Sequence, residues 1–290
     1  MASNPVWVAA ALMVVAGFSS FAAGEKAVPC YFIFGDSLAD NGNNNWLQTV
    51  AKVDYSPYGV DFRRGATGRF TNGRNIVDFF AEYLGFENYI PPFATATIID
   101  TLSGLNYGSG SAGILDETGA QLRLYVAGAR KIGVFALGQI GCVPFAIRRY
   151  GTNGSASGCA EALNDAAVLF NVQLKSAIDQ LQATLPGAQF VYIGSGSDML
   201  MTVRRKGLKA LEVLDSPCCT VEAESGQCVP DQPSCPDRSR YVFWDWFHPT
   251  EALNSLTAAA AFEAVRPIVA HSSSVGERSM IRLAAAVQAS

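Results

Sequence analysis

Residues 30–44 read CYFIFGDSLADNGNN, a short apolar run that enters a turn and then an asparagine-rich stretch. The apolar part, Cys30–Phe34, predicts a strand, and Gly35 permits a sharp turn that would lift the hydroxyl of Ser37 above the edge of a sheet. Ser37 is therefore a candidate nucleophile. A serine that only caps the next segment is the structural alternative, because Gly35-x-Ser37-x-Ala39 lacks the second glycine of the nucleophile-elbow motif.

Beyond this stretch, apolar runs alternate with amphipathic helical patterns. We predict helices over 75–84, 160–185, 198–214 and 250–265, buried strands over 131–137 and 189–193, and a loop over 142–158. Such alternation indicates an α/β domain with a parallel sheet and helices on both faces. Reactive groups in these sheets lie at the carboxyl ends of strands. Ser37 follows the first predicted strand, at such an end.

A second chemical pattern is WDWFHP, residues 244–249. Within a turn, a three-residue offset can place the carboxylate of Asp245 beside the imidazole of His248, where it fixes the tautomer and stabilises the cation. Aromatic neighbours would exclude water and strengthen that interaction. The other histidine, His271, lies in the C-terminal tail, so His248 is the credible base for a serine nucleophile. A histidine merely packed among aromatic rings is the alternative.

These segments, taken in order, resemble the signature blocks of the plant GDSL esterase/lipases, a branch of the SGNH hydrolases. The similar stretches are 32–44, 68–85, 106–114, 128–144 and 243–251, so the resemblance covers roughly residues 28–267. It implies a flavodoxin-like α/β/α sandwich with a parallel sheet. It also implies a secreted serine hydrolase of carboxylic esters, acting on a small ester or lipid with no cofactor or metal.

The resemblance assigns roles to the matching residues. Ser37 would be the nucleophile, His248 the general base and then acid, and Asp245 the orienting carboxylate. The backbone N–H of Ser37 and that of a glycine in the second block would line the oxyanion hole. We favour Gly113, with Gly110 as the alternative.

One departure from the family concerns its third block, Gly-x-Asn-Asp, whose asparagine donates to the oxyanion. Here Gln121 runs almost directly into Arg123 and Gly128, and several dozen residues are absent, a core strand among them. The similar GSGSD at 194–198 follows another strand and contains no asparagine. We therefore expect an incomplete sheet. The alternative function is a catalytically impaired or non-enzymatic shortened family member, a splice form or truncated gene product.

The N-terminus carries an apolar run over 8–23 that ends in small residues. Its apolar part is short for a bilayer span, which needs about 20 residues, so a cleavable secretory signal fits better than an anchor helix. We predict a signal peptide over 1–24, a hydrolase domain over 28–267 and a C-terminal tail over 268–290. The expected location is extracellular, with no stable membrane insertion.

Seven cysteines occur, and four of them crowd into 218–235 among prolines and glycines. In an exported chain this predicts a disulfide-stapled loop, with Cys142 and Cys159 as a further pair and Cys30 left as a thiol. A zinc knuckle is the alternative, although the loop has no histidine and no paired CxxC units. Asn153 begins the chain's one glycosylation sequon.

The charge distribution bears on nucleic-acid binding. The net charge is −4 and the pI is about 5.3. No basic block is interleaved with aromatic residues, so we expect no nucleic-acid partner.

Overall fold

The parallel strands come in pairs. The computed structural model describes residues 26–113, 124–125, 128–151, 158–194 and 211–269. Within these ranges β1 (Lys131–Phe135) pairs with β2 (Gln189–Ile193), and β3 (Val213–Pro217) pairs with β4 (Tyr241–Phe243). A parallel bridge between Ile33 and Asn106 marks the place of the predicted N-terminal strand. Strands β1 and β2 are parallel and joined through helices, which confirms the predicted α/β class.

Four α-helices lie in the described ranges: α1 (Ile76–Tyr83), α2 (Pro144–Tyr150), α3 (Glu161–Thr184) and α4 (Glu251–Val269). A capping box starts α1: the Asn75 side chain accepts the N–H of Asp78, and the Asp78 carboxylate accepts the N–H of Asn75, both at 3.1 Å. The predicted helices over 75–84 and 160–185 and the strand over 189–193 are confirmed.

Three expectations were wrong in detail. The segment 142–158, predicted to be a loop, contains α2, because Pro144 at its first position has the φ that a helix start requires. The helix predicted over 198–214 cannot reach its predicted end, because β3 begins at Val213. The last helix continues through Pro267, whose fixed φ is compatible with helical geometry and removes only one donor.

Strand β1 was predicted to be buried, but its side chains are partly exposed, and Phe135 keeps 39% of its surface accessible. One edge of β1 pairs with β2, and no described strand pairs with the other edge. The bridge at Ile33 is likewise not hydrogen-bonded to β1 within the described ranges.

Helices α1 and α4 pack against each other, and α4 also contacts β2 and β4, which belong to different two-stranded sheets. Val77 and Ala81 of α1 pack around Ile33, which lies four residues before Ser37. Phe80, also in α1, packs with Ile193 at the end of β2. Helix α1 therefore supports the backbone that leads into the candidate nucleophile.

The cysteines form the disulfides Cys142–Cys159, Cys218–Cys235 and Cys219–Cys228. Cys30 remains a half-buried thiol. The predicted stapled loop is confirmed, and the pairing within it, which the sequence left open, is nested. Because all four loop cysteines are oxidised, none is left as a thiolate ligand for zinc.

A buried ion pair ties α1 to the segment that carries Phe70: the Arg69 guanidinium donates twice to the Asp78 carboxylate, at 2.7 and 2.8 Å. We expect Asp78→Ala to lower the free energy of unfolding by about 3–5 kcal/mol, because Arg69 is left buried without its counter-charge. Urea unfolding measures this loss. In the control Asp179→Ala, which removes an exposed pair with Lys175, the loss should stay below about 1 kcal/mol. Similar losses in the two variants would contradict this prediction.

Candidate active site

Ser37 and His248 are 211 residues apart in sequence, yet the Ser37 Oγ lies 2.9 Å from the His248 Nε2. Ser37 occupies a turn that begins at Asp36. The Asp36 carboxylate accepts the N–H of Leu38 at 2.9 Å, and its carbonyl accepts the N–H of Ala39 at 3.1 Å. This turn holds the half-buried hydroxyl toward the imidazole.

On the other side of the imidazole, the His248 Nδ1 lies 2.9 Å from Oδ1 and 2.7 Å from Oδ2 of Asp245. Oδ1 also accepts the backbone N–H groups of Phe247 and His248, at 2.8 and 2.9 Å. The predicted side-by-side placement therefore arises because the loop folds around its own carboxylate. An ionised carboxylate only accepts hydrogen bonds, so Nδ1 carries the proton and Nε2 can accept the serine hydroxyl.

The loop over 244–249 joins β4 to α4 and is closed by the N–H of Trp244, which donates to the carbonyl of His248 at 2.7 Å. Asp245 has no accessible surface and His248 only 7%. The ring of Phe70 lies 4.9 Å from the imidazole centroid, and that of Phe247 lies at 6.1 Å. Little water can reach this pair, which strengthens the interaction between carboxylate and imidazole.

Sequence analysis missed Tyr58. Its hydroxyl donates to the Asp245 Oδ2 at 2.7 Å and accepts the N–H of Cys228 at 3.1 Å. Burial, followed by the negative charge of Asp245, raises the pKa of the Tyr58 phenol well above its ordinary value of 10.0. The phenol thus stays protonated and remains a donor. Tyr58 is 187 residues from Asp245 in sequence and belongs to no recognisable motif.

The two glycines proposed for an oxyanion hole differ in their surroundings. The N–H of Gly110 donates to the Asp40 Oδ2 at 3.0 Å. A Cβ at Gly110 would lie 2.6 Å from the Asn44 side chain and 2.8 Å from the Phe70 ring, so the close packing there requires glycine. Gly113 is exposed, and a Cβ there would meet no atom within 4 Å.

Asp40 organises the backbone around both blocks. Its carboxylate is fully buried and accepts the N–H groups of Gly42 and Asn43, each at 2.7 Å, in addition to that of Gly110. Burial is the largest influence and raises the pKa of the Asp40 carboxyl, while the backbone donors oppose this rise. The Asn43 side chain also donates to the Gly108 carbonyl at 2.7 Å. These bonds hold the segment after Ser37 against the glycine-rich segment.

Some predicted features lie outside the described residues: the signal segment, the sequon at Asn153, the GSGSD stretch beyond Gly194, and His271 in the tail. Gln121 and Arg123, which flank the expected gap, also lie outside them.

A serine hydroxyl, an imidazole and a buried carboxylate in series form the arrangement used by serine hydrolases. A family model described as GDSL-like Lipase/Acylhydrolase matches residues 31–126 and 114–261. The chain belongs to this family.

Several relatives from Arabidopsis thaliana are similar over most of their length. GDSL esterase/lipase At1g33811 is 37% identical, in an alignment that covers 82% of this chain and 88% of the relative. GDSL esterase/lipase At4g30140 is 34% identical over 90% of this chain and 94% of the relative. GDSL esterase/lipase At2g19050 is 34% identical over 87% of this chain and 93% of the relative.

The comparisons also bear on the expected gap. The two matched stretches of the family model overlap over 114–126, the region where we expect the third block to be missing. The alignment with At1g33811 runs over 325 positions although it uses only 82% of a 290-residue chain. Many of its positions are therefore residues of the relative that have no counterpart here.

Proposed function

We propose that this chain is a carboxylic ester hydrolase that uses Ser37, His248 and Asp245 as its catalytic triad. The observation that carries the proposal is the unbroken series of contacts from the Ser37 Oγ to His248 at 2.9 Å and on to Asp245 at 2.7 Å. Family membership supports it, since the relatives are named esterase/lipases.

In the proposed reaction, the Ser37 Oγ attacks the ester carbonyl while the His248 Nε2 takes its proton. Asp245 stabilises the resulting imidazolium. The tetrahedral intermediate then expels the alcohol, which receives the proton from His248, and an acyl-enzyme remains on Ser37. Water, deprotonated by His248, attacks the acyl carbon, and the carboxylic acid leaves as Ser37 regains its proton.

The oxyanion of each intermediate needs donors, and we propose the backbone N–H groups of Ser37 and Gly113 for this role. Gly113 is favoured over Gly110 because the Gly110 N–H already donates to Asp40. The side-chain donor that the family's third block would add is absent from the sequence. This absence predicts slow turnover.

The substrate we propose is a small ester or a lipid with an apolar acyl chain. Apolar side chains are exposed just after the nucleophile, and they include Leu38, Trp46, Leu47 and Val50. Trp46 and Val50 keep 70% and 89% of their surfaces accessible. An acyl chain that lies on these side chains would bury apolar surface, which stabilises the complex by about 25 cal/mol per Å² buried.

For location, we propose secretion after cleavage of the signal over 1–24, leaving a hydrolase domain over 28–267 and a tail over 268–290. Three disulfides support an oxidising compartment. Within the described ranges, no helix combines the length and apolarity needed to cross a bilayer. N-terminal sequencing of protein from the medium, before and after deglycosylation, tests the cleavage site and the use of Asn153.

A second candidate function is that of an impaired family member, favoured by the partly exposed side chains of β1, Phe135 among them. The two candidates separate in one experiment with 4-nitrophenyl acetate and butyrate, a fluorophosphonate probe and the Ser37→Ala control. Hydrolysis that Ser37→Ala lacks supports the working esterase. Labelling of Ser37 without turnover supports the impaired form, and labelling that survives Ser37→Ala removes Ser37 from the mechanism.

A further inference from the structure

The Tyr58 hydroxyl lies between the candidate catalytic carboxylate and the stapled loop. It donates to the Asp245 Oδ2 at 2.7 Å and accepts the N–H of Cys228 at 3.1 Å. Tyr58 has 1% of its surface accessible, and its ring packs edge-on against those of Phe70 and Trp244. The ring cannot turn without disturbing this packing, so the hydroxyl has a fixed position.

The stapled loop also contacts the backbone next to Asp245. The N–H of Cys219 donates to the carbonyl of Trp244 at 3.0 Å. Cys219 is joined by a disulfide to Cys228, the residue whose N–H reaches the Tyr58 hydroxyl. Tyr58, Asp245 and the disulfide therefore form a closed ring of contacts. Asp245 is held at two points: its carboxylate by the Tyr58 hydroxyl, and the carbonyl of the preceding residue by the stapled loop.

We propose that Tyr58 is a positioning residue for the triad: its hydroxyl holds the Asp245 Oδ2 against the His248 Nδ1, and the Cys219–Cys228 staple holds the hydroxyl. This proposal rests on the function proposed above, since a positioned carboxylate matters to turnover only if His248 acts as the base.

The two carboxylate oxygens of Asp245 accept different numbers of hydrogen bonds, and this difference explains why the Tyr58 hydroxyl is needed. Oδ1 accepts two backbone N–H groups as well as the imidazole N–H. Oδ2 accepts only the imidazole and Tyr58 among the described residues. Without the phenol, a fully buried charge loses a donor, and Oδ2 is no longer fixed toward Nδ1.

Tyr55 provides a matched control in the same cluster. Its hydroxyl donates to the Cys228 carbonyl at 3.0 Å, and its ring packs edge-on against Tyr58 at 5.4 Å. Tyr55 is thus bonded to the same loop residue, but it makes no hydrogen bond to Asp245. Removing either hydroxyl removes one contact with the loop, and only Tyr58→Phe also removes a contact with the triad.

The decisive experiment compares Tyr58→Phe with Tyr55→Phe in the full chain. For Tyr58→Phe we expect the rate of fluorophosphonate labelling at Ser37, and kcat for 4-nitrophenyl acetate, to fall about 10- to 100-fold, with KM unchanged. Tyr55→Phe should keep both rates within about threefold of the unmodified chain. Urea unfolding of the two variants shows whether they lose comparable stability.

The outcomes decide as follows. A rate loss shared equally by both variants overturns the proposal, because it points to packing alone, and so does a rise in KM at constant kcat. Unchanged rates in Tyr58→Phe also overturn it, provided that Ser37→Ala and His248→Ala are inactive. If Ser37→Ala and His248→Ala keep their activity, the proposed triad is wrong, and the result overturns the proposed function rather than the role of Tyr58 alone.

A second pair of variants keeps the proposal testable if Tyr58→Phe does not fold. Cys219→Ser combined with Cys228→Ser leaves Tyr58 in place but releases the loop that fixes its hydroxyl. Cys142→Ser combined with Cys159→Ser removes the disulfide that lies outside the stapled loop. We expect labelling to slow several-fold more in the first variant than in the second, and equal rates would overturn the role of the loop.

Discussion

Ser37→Ala is expected to abolish ester hydrolysis, with a loss approaching about 10⁶-fold in kcat, because members of a triad act as a unit. His248→Ala should be equally inactive, since its Nε2, 2.9 Å from the Ser37 Oγ, is the proposed base for the hydroxyl. The double variant should be no slower than either single one. Initial rates with 4-nitrophenyl butyrate measure these losses.

Because the third-block donor is missing, the starting turnover is expected to be low, and background hydrolysis will limit the measurable range. Labelling of Ser37 by a fluorophosphonate avoids this limit, because it needs one attack and no turnover. His271→Ala serves as the histidine control and should label like the unmodified chain. If the double variant proves far slower than both single variants, Ser37 and His248 act independently and the triad must be abandoned.

The sequence predicted the contact between Asp245 and His248 because that contact is local. Three residues separate them, and the loop closes through the Asp245 carboxylate and its two neighbouring N–H groups. The pairing with Ser37 could also be inferred, since only one histidine lay outside the tail. These residues were predictable because Asp245 and His248 are close in sequence and because the chain offers few histidines.

Tyr58 could not be found in the same way. Its contact with Asp245 spans 187 residues and depends on the fold of the stapled loop, which places the Cys228 N–H against the hydroxyl. Tyrosine has no motif here that would separate it from Tyr55, three residues earlier. Only tertiary packing distinguishes the two.

The fold class could be predicted from the sequence, but the bounds and burial of individual helices and strands could be predicted less well. Amphipathic periodicity identified α1 and α3, whereas α2 is a short helix that the surrounding loop composition concealed. The burial of β1 was overestimated because its apolar residues, Phe135 among them, suit a central strand. A strand pattern shows what a strand would bury, and whether the strand does so depends on which neighbours pack against it.

Inserting a Gly-x-Asn-Asp segment with its strand from a full-length relative, between Gln121 and Arg123, is expected to raise kcat about 10²- to 10³-fold. In sequence, the insertion point lies between described residues 113 and 124, eight residues after Gly113, the proposed backbone donor. The added asparagine would give the oxyanion a third donor. Initial rates with 4-nitrophenyl butyrate, before and after insertion, measure the gain.

The strand itself should contribute separately from the asparagine. We expect it to pair beside β1 and cover Phe135, and to support the segment at Ile33 that leads to Ser37. A displacement of Ser37 by about 1 Å from its line with His248 can cost about 10²-fold in rate. Better-ordered strands should therefore raise both the cooperativity of unfolding and the rate of labelling.

The matched control is the same insert with its asparagine changed to alanine. This variant should gain cooperative unfolding and faster labelling, because the strand is present, but its kcat should remain about 10²-fold below that of the intact insert. The difference between the two inserts measures the donor, and the difference between the alanine insert and the unmodified chain measures the strand. If the unmodified 290-residue chain hydrolyses short esters as fast as the restored one, two backbone donors suffice here and the third block is dispensable.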